Sequence, residues 1–296
     1  MSPGEIYPIQ EFLNYLAFQK RYSRHTIISY QNDLTGFFDF IALQYNSLGL
    51  HEISASVVRS WLASLKEDKT ASKTINRKIS TLKSFFKYQL RMNKVEFSPM
   101  TSVSSLKISR RLPSFIEQKD INTLFRVKFP ETWDGKTHHL LLMIFYHTGI
   151  RLSELINLKE SQVDKSNSTL KVLGKGNKER VIPVNNQLLN EIDKYISEKE
   201  VREVPGYLLV NEKGKKLYEK YVYNIVKEYL GGVSTNERKS PHILRHSFAT
   251  HLTSNGADIN AIKELLGHSS LASTQIYTHN SIEKLKEVHK QAHPKS

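Results

Sequence analysis

Cysteine is absent from all 296 residues. That excludes a disulfide framework, a thiolate nucleophile, iron–sulfur ligation and cysteine-bound zinc, so any covalent chemistry falls to another residue type. No run of 18 apolar residues occurs, and the opening MSPGEIYPIQ has neither a signal-like apolar core nor a lipidation box. The expectation is a cytoplasmic protein with no membrane partner. H-E-x-x-H and the phosphate-cradling G-x-x-x-x-G-K-[ST] are also missing. Acidic residues are scarce, 29 against 43 lysines and arginines, which leaves a formal charge of +14. An excess that large implies an anionic partner, with nucleic acid favoured over an acidic membrane surface.

The length suggests two domains of ordinary size. Residues 1–103 read as helices with short breaks and scarcely any strand signal: Glu5–Lys20, Arg24–Tyr45, Ser54–Lys66 and Ala71–Met92. In the second, Tyr30, Leu34, Phe37 and Ile41 fall at helical spacing, as do Ile75, Ile79, Leu82 and Phe86 in the fourth. A four-helix domain follows. The fourth helix carries Lys73, Arg77, Lys78, Lys83, Lys87 and Arg91 as a basic flank. Residues 1–107 hold 14 basic against 8 acidic residues, so they carry +6 and the remainder +8. A DNA-binding surface drawn from both domains fits that division, with Lys73, Arg77, Lys83, Arg110, Arg111 and Lys178 as its candidate contacts.

The serine-rich, basic stretch from Pro99 to Pro113 lacks a sustained period and reads as a linker, its core at residues 104–113. Ser114 and Glu117 form an S-x-x-E capping pair that predicts a helix through about Val127, the start of a second domain over 114–296. Lys128–Thr137 reads as a loop, and His138–His147 as an apolar helix ended by Gly149. In TGIRLSE, residues 148–154, Arg151 and Glu154 are spaced for an ordinary i, i+3 ion pair. Thr169–Leu173 and Arg180–Val184 are β-rich runs around the glycine-bearing turn GKGNKE, a hairpin with Lys175 at its tip. Helices are predicted at about Asn186–Lys199 and Tyr218–Leu230. The fold class is therefore mostly α with a small antiparallel sheet, as a helical domain followed by a mixed α/β one.

The stretch Ser240–Tyr277 concentrates the chemistry. Ser240 suits an N-cap and Pro241 the first helical position, opening a helix to about Ser254 that places His242 and Arg245 one turn apart on one face. Leu244, Phe248 and Leu252 form a separate, core-facing stripe. A short helix over Asp258–Leu266 stops at Gly267, directly before His268, and Ser269 or Ser270 can cap a further short helix that carries Tyr277. His242, Arg245, His268 and Tyr277 together suit one phosphate-handling site. Read singly, His268 is a cap or surface residue and Tyr277 a packed aromatic. His242 and His246 are spaced i, i+4, but His251 lies half a helical circumference from His242, so a metal site is disfavoured and His246 and His251 read as structural. The tail Ile282–His293 has the pattern of an amphipathic helix, suited to its own domain or to a neighbouring subunit.

The segments HTGIRLSEL, GKGNKERVIPV, SPHILRHSFATHL, ELLGHSS and STQIYTH occur in one order along the chain. Together they resemble the tyrosine recombinases, also called the phage integrase family, and the likeness covers essentially the whole chain. The helical first domain, with SRHTIISYQNDLTGFFDF and INRKISTLKSFFKY, looks like the family's core-DNA-binding domain. The tail EVHKQAHPKS is similar to that of the Xer-type members that resolve chromosome dimers.

The resemblance implies a tyrosine that attacks a scissile DNA phosphate, giving a 3′-phosphotyrosyl link and later a Holliday junction, with neither metal nor ATP as cofactor. It makes Tyr277 the nucleophile and Arg151 and Arg245 the guanidinium pair that compensates charge on the phosphate oxygens. Lys175 becomes the general acid for the leaving 5′-oxygen. His242 becomes a phosphate-contacting or proton-handling group, and His268 a hydrogen-bond donor to the phosphate. Glu154 orients the site or assists proton removal. Implied partners are duplex DNA with a short core site and a homo- or hetero-tetramer docked through the tail helix, with a second recombinase and a septal DNA translocase as further candidates. The role would lie in chromosome partition and cell division. The first domain starts close to the N-terminus, leaving little room for the arm-binding domain of many phage integrases and favouring a Xer-like enzyme over a mobile-element integrase. A DNA-binding protein without catalysis would have no use for a nucleophile.

Overall fold

The computed structural model describes residues 8–108, 115–174, 179–200, 206–267 and 290–293. Two compact units divide the chain, Met1–Arg111 and Leu112–Ser296. No helix among the described residues is long and apolar enough to cross a membrane.

The first unit is helical. α1, Ile9–Asn14, continues as a π-turn over Tyr15–Gln19; α2 spans Arg24–Tyr45, α3 Ala55–Glu67 and α4 Ser72–Arg91. Capping sets two of the starts: Ser23 Oγ accepts from the Thr26 amide and Ser54 Oγ from the Val57 amide. Asn46, in the left-handed region at φ 49°, ends α2. The core is aromatic, with Phe12 edge-on to Phe85 at 5.4 Å and Phe37 to Trp61 at 5.0 Å. Asp33 is buried in it and accepts from Thr81 Oγ1 at 2.8 Å, from Lys78 Nζ at 3.0 Å and from Arg77. Lys78 is thus drawn inward to a carboxylate and leaves the expected basic flank. Lys73, Arg77, Lys83, Lys87 and Arg91 do line the exposed side of α4.

The stretch after Pro99 is held to this unit as far as Leu106. Met100 and Val103 are buried in its core. Asn76 hydrogen-bonds both backbone groups of Leu106, accepting from its N–H at 2.8 Å and donating to its C=O at 2.9 Å.

In the second unit α5 is Gln118–Leu124, α6 Trp133–Thr148, α7 Leu152–Leu155, α8 Asn186–Glu200, α9 Glu219–Val233, α10 Pro241–Ser254 and α11 Ile259–Leu266. Strands β1 (Val163–Asp164), β2 (Thr169–Leu173) and β3 (Glu179–Pro183) form an antiparallel sheet in that order. α6 is the central element: 12 of its 16 residues are buried, so it is apolar nearly all round, as an enclosed helix must be. It packs on α8 and α10, while α11 packs on α10 and β3.

Three local expectations change. The helix expected from Ser114 begins at Gln118; just before it Ile116 is fully buried, its N–H donating to Ser247 Oγ at 2.8 Å, which holds this stretch off the helical path. α6 begins at Trp133 inside the expected loop, capped by Thr132, whose hydroxyl accepts from the Gly135 amide at 3.2 Å. Gly135 permits this start, since a Cβ there would lie 2.1 Å from the Pro130 carbonyl oxygen. Ser240 stands at the N-cap of α10, yet its hydroxyl makes no cap bond. Of the tail, the described residues 290–293 pack on their own unit: Ala292 is buried beside Phe248 and Leu252, and the His293 ring stacks on His147 at 4.8 Å.

Candidate active site

The site forms around the C-terminal end of α11. The last carbonyls of a helix have no intrahelical partner and carry the negative end of its dipole. Here three successive ones each receive a different arginine. Arg180 Nε donates to Leu265 O at 2.9 Å, Arg245 Nη2 to Leu266 O at 2.6 Å and Arg151 Nη2 to Gly267 O at 2.8 Å. Gly267 closes the helix in the left-handed region at φ 63°.

Each arginine arrives from a different element. Arg151 is the N-cap of α7, two residues after the Gly149 stop of α6. Gly149, at φ 58°, gives its carbonyl to Arg245 Nη1 at 2.6 Å, and a Cβ there would lie 2.5 Å from Phe248 and 2.8 Å from Leu266. Arg245 comes from the first turns of α10, and Arg180 from β3. In the sheet register Arg180 stands opposite Val172, next to the Leu170–Ile182 pair on the core face.

Glu154 on α7 neutralises part of this charge. Its Oε1 accepts from Arg151 Nη1 and Arg180 Nη1, both at 2.7 Å, and its Oε2 from Arg180 Nη2 at 2.8 Å and the Arg151 amide at 2.9 Å. Burial pushes the Glu154 carboxyl up, but the hydrogen bonds and charge of Arg180, joined by those of Arg151, outweigh it and hold the group down at about 2. Arg245 is lowered to about 9 by burial and then by the charges of Arg151 and Arg180. It remains a cation at neutral pH, inside a cluster of three guanidiniums and one carboxylate that an added anion would relieve. Arg180 is 4% and Arg245 8% exposed, whereas the Arg151 side chain is 29% exposed and opens to the surface.

Of the residues expected from the sequence, Arg151, Glu154 and Arg245 meet at this point. His242 is exposed one turn before Arg245 on α10. His251 is buried, with Nδ1 3.1 Å from the Tyr146 hydroxyl. Lys175, His268 and Tyr277 lie outside the described residues, as do Arg110, Arg111 and Lys178; His268 directly follows Gly267 in sequence. Among the described residues, Arg180 joins this cluster without having been a candidate from the sequence. The signal for it was parity: in an alternating strand it shares the face of Ile182, so a cation there points inward and must find a carboxylate.

The phage integrase family model matches residues 114–284, and the phage integrase N-terminal SAM-like domain matches residues 9–93. Tyrosine recombinase XerC of Thermodesulfovibrio yellowstonii is 35% identical over 97% of this chain and 96% of its own length. The XerC of Bacillus licheniformis is 36% identical over 96% and 95%. The fold matches that of a XerH site-specific recombinase bound to its palindromic difH substrate in a post-cleavage complex, with TM-score 0.73 at 23% identity over 97% of this chain and 83% of that one. With both of its units matched and relatives alike over nearly their whole length, the chain belongs to the phage integrase family, the tyrosine recombinases.

Proposed function

We propose that this recombinase is a Xer-type enzyme that cuts and rejoins duplex DNA at a short core site through a 3′-phosphotyrosyl bond and a Holliday junction. The observation that carries the reading is the set of arginines gathered on the end of α11, immediately before the segment with His268 and Tyr277. In this scheme the Tyr277 hydroxyl attacks the scissile phosphorus and the bond to the 5′-oxygen breaks. Lys175 protonates that oxygen, and Arg151 and Arg245, planar guanidiniums able to donate twice, compensate charge on the non-bridging oxygens. His268 donates a hydrogen bond to the phosphate, and His242 contacts it or handles a proton. The 5′-hydroxyl of the partner duplex then attacks the tyrosyl ester and releases Tyr277. The ester conserves the phosphodiester bond energy, so ATP is not consumed. Glu154 is held too acidic to take a proton from a phenol with an ordinary pKa of about 10, and its role is to orient Arg151.

Residues 1–103 serve as the core-DNA-binding domain, with the exposed basic side of α4 toward the phosphates, and residues 114–296 as the catalytic domain. Arg110, Arg111 and Lys178 add further phosphate contacts. Exchange between two duplexes calls for four protomers, with a second recombinase and a septal DNA translocase as candidate companions in cytoplasmic chromosome-dimer resolution. The near full-length likeness to XerC proteins favours this role over element integration.

A suicide duplex, nicked beside the cleavage point so that the short 5′-hydroxyl fragment diffuses away, tests the chemistry. The wild type should accumulate a covalent adduct and Tyr277→Phe none. A wild type that binds the site without forming an adduct overturns the reading, and relaxation of supercoils without exchange points to a topoisomerase. Cleavage mapped on chromosomal fragments should fall near the replication terminus if the role is dimer resolution.

A further inference from the structure

We infer that Arg180 is a positioning residue for DNA cleavage, acting through Glu154 on Arg151. This rests on the assignment of Arg151 to the scissile phosphate. Arg180 itself does not face the substrate. It is almost wholly buried, and its Nε, Nη1 and Nη2 already donate to Leu265 O and to both oxygens of Glu154.

What Arg180 controls is the carboxylate. Glu154 Oε1 is shared between Arg180 Nη1 and Arg151 Nη1 at equal distances of 2.7 Å, so the place where Arg151 is held is set by where Arg180 holds Glu154. A carboxylate gripped by two parallel N–H bonds is fixed in plane and direction, which one cation on a flexible stem cannot do. The second attachment, to Leu265 O, ties the same guanidinium to the helix end that also receives Arg151 and Arg245. Gly267 keeps this contact close, because a Cβ there would lie 3.0 Å from Arg180 Cδ. Strand β3, the start of α7 and the end of α11 are therefore joined at one guanidinium.

A purely structural ion pair would behave differently. Such a pair can often be exchanged for apolar groups of similar volume without losing the fold, and its loss would not depend on the charge of the scissile phosphate. Loss of positioning should strike the cleavage step and spare DNA binding, since a misplacement of about 1 Å can slow a reaction about 100-fold.

The test compares wild type, Arg180→Met, Arg180→Lys and Arg151→Ala in single-turnover adduct formation at saturating suicide duplex. The scissile group is either a phosphodiester or a methylphosphonate, in which one charged oxygen is replaced by methyl. Arg180→Met should bind DNA within about threefold of wild type and cleave the phosphodiester about 10–100-fold more slowly. On the methylphosphonate, which asks less of Arg151, the deficit should shrink to a few-fold. Arg180→Lys should remain slow because it lacks the fork. Adding Arg180→Met to Arg151→Ala should slow cleavage little further, since both act through one contact. Wild-type cleavage by both Arg180 variants, an undiminished deficit on the methylphosphonate, or losses that multiply with Arg151→Ala would each overturn the inference. If Arg180→Met does not fold, Arg180→Lys carries the same comparison. A wild type that forms no adduct would instead remove the functional reading beneath it.

Discussion

Arg180 grips Glu154 with two parallel hydrogen bonds of 2.7 and 2.8 Å, both partners being buried. The folded state holds the Glu154 carboxyl at about 2, below its ordinary 4.5. A depressed carboxyl stabilises the fold fully above its unfolded pKa and loses that contribution as pH falls through the folded one. Glu154, held by Arg180 and Arg151 together, should therefore contribute on the order of 3 kcal/mol at neutral pH, lost between about pH 4.5 and 2. Urea unfolding of the wild type should weaken through that window. Glu154→Gln should be less stable by about 3–5 kcal/mol at pH 7, because it leaves buried guanidiniums without their carboxylate, and should show a flatter acid limb.

Arg245 sits close to two other guanidiniums, and their repulsion adds to the burial that lowers it to about 9. A doubly charged oxyanion at the site should relieve this. Inorganic phosphate or sulfate should raise the Tm of the wild type by a few degrees at saturation. Arg245→Ala and Arg151→Ala should shift by less, as read in thermal melts across a phosphate titration.

Gly149 combines a left-handed backbone with side chains pressed against the place a Cβ would take. Gly149→Ala should cost about 2–4 kcal/mol in denaturant unfolding. By moving the carbonyl that holds Arg245 Nη1, it should also slow DNA cleavage more than it weakens DNA binding.

On α4, Lys73 and Lys83 are exposed, whereas Arg77 is also tied to Asp33. Removing Lys73 and Lys83 together should weaken DNA binding across sequences and make the negative slope of log K against log salt shallower by about 2, measured by anisotropy at several salt concentrations. Asp33→Ala should instead destabilise the first unit, by leaving Lys78 near a buried, empty position.

Much of this fold was legible in the sequence, for local reasons. Arg24–Tyr45 begins after a serine that caps it and ends at a residue that accepts a left-handed backbone, so its bounds are written in neighbouring residues. The hairpin strands announce themselves by β-branched runs around glycine. The start of α6 was hidden because Pro130 and Gly135 signal a loop, while their actual use is a close backbone approach at a helix start. The i, i+3 spacing of Arg151 and Glu154 gave their contact, but nothing local says that an arginine 26 residues further on shares the same carboxylate. That pairing is a product of tertiary folding, as is the convergence of three cations on one helix end.

The most direct measurement is to map the trapped protein–DNA adduct. After nuclease and tryptic digestion, the remaining nucleotide should sit on the peptide Glu264–Lys284, whose one tyrosine is Tyr277. It should be joined through the 3′-phosphate, with a free 5′-hydroxyl on the released strand. An adduct on another peptide, a link through a 5′-phosphate, or an adduct that persists in Tyr277→Phe would contradict the account.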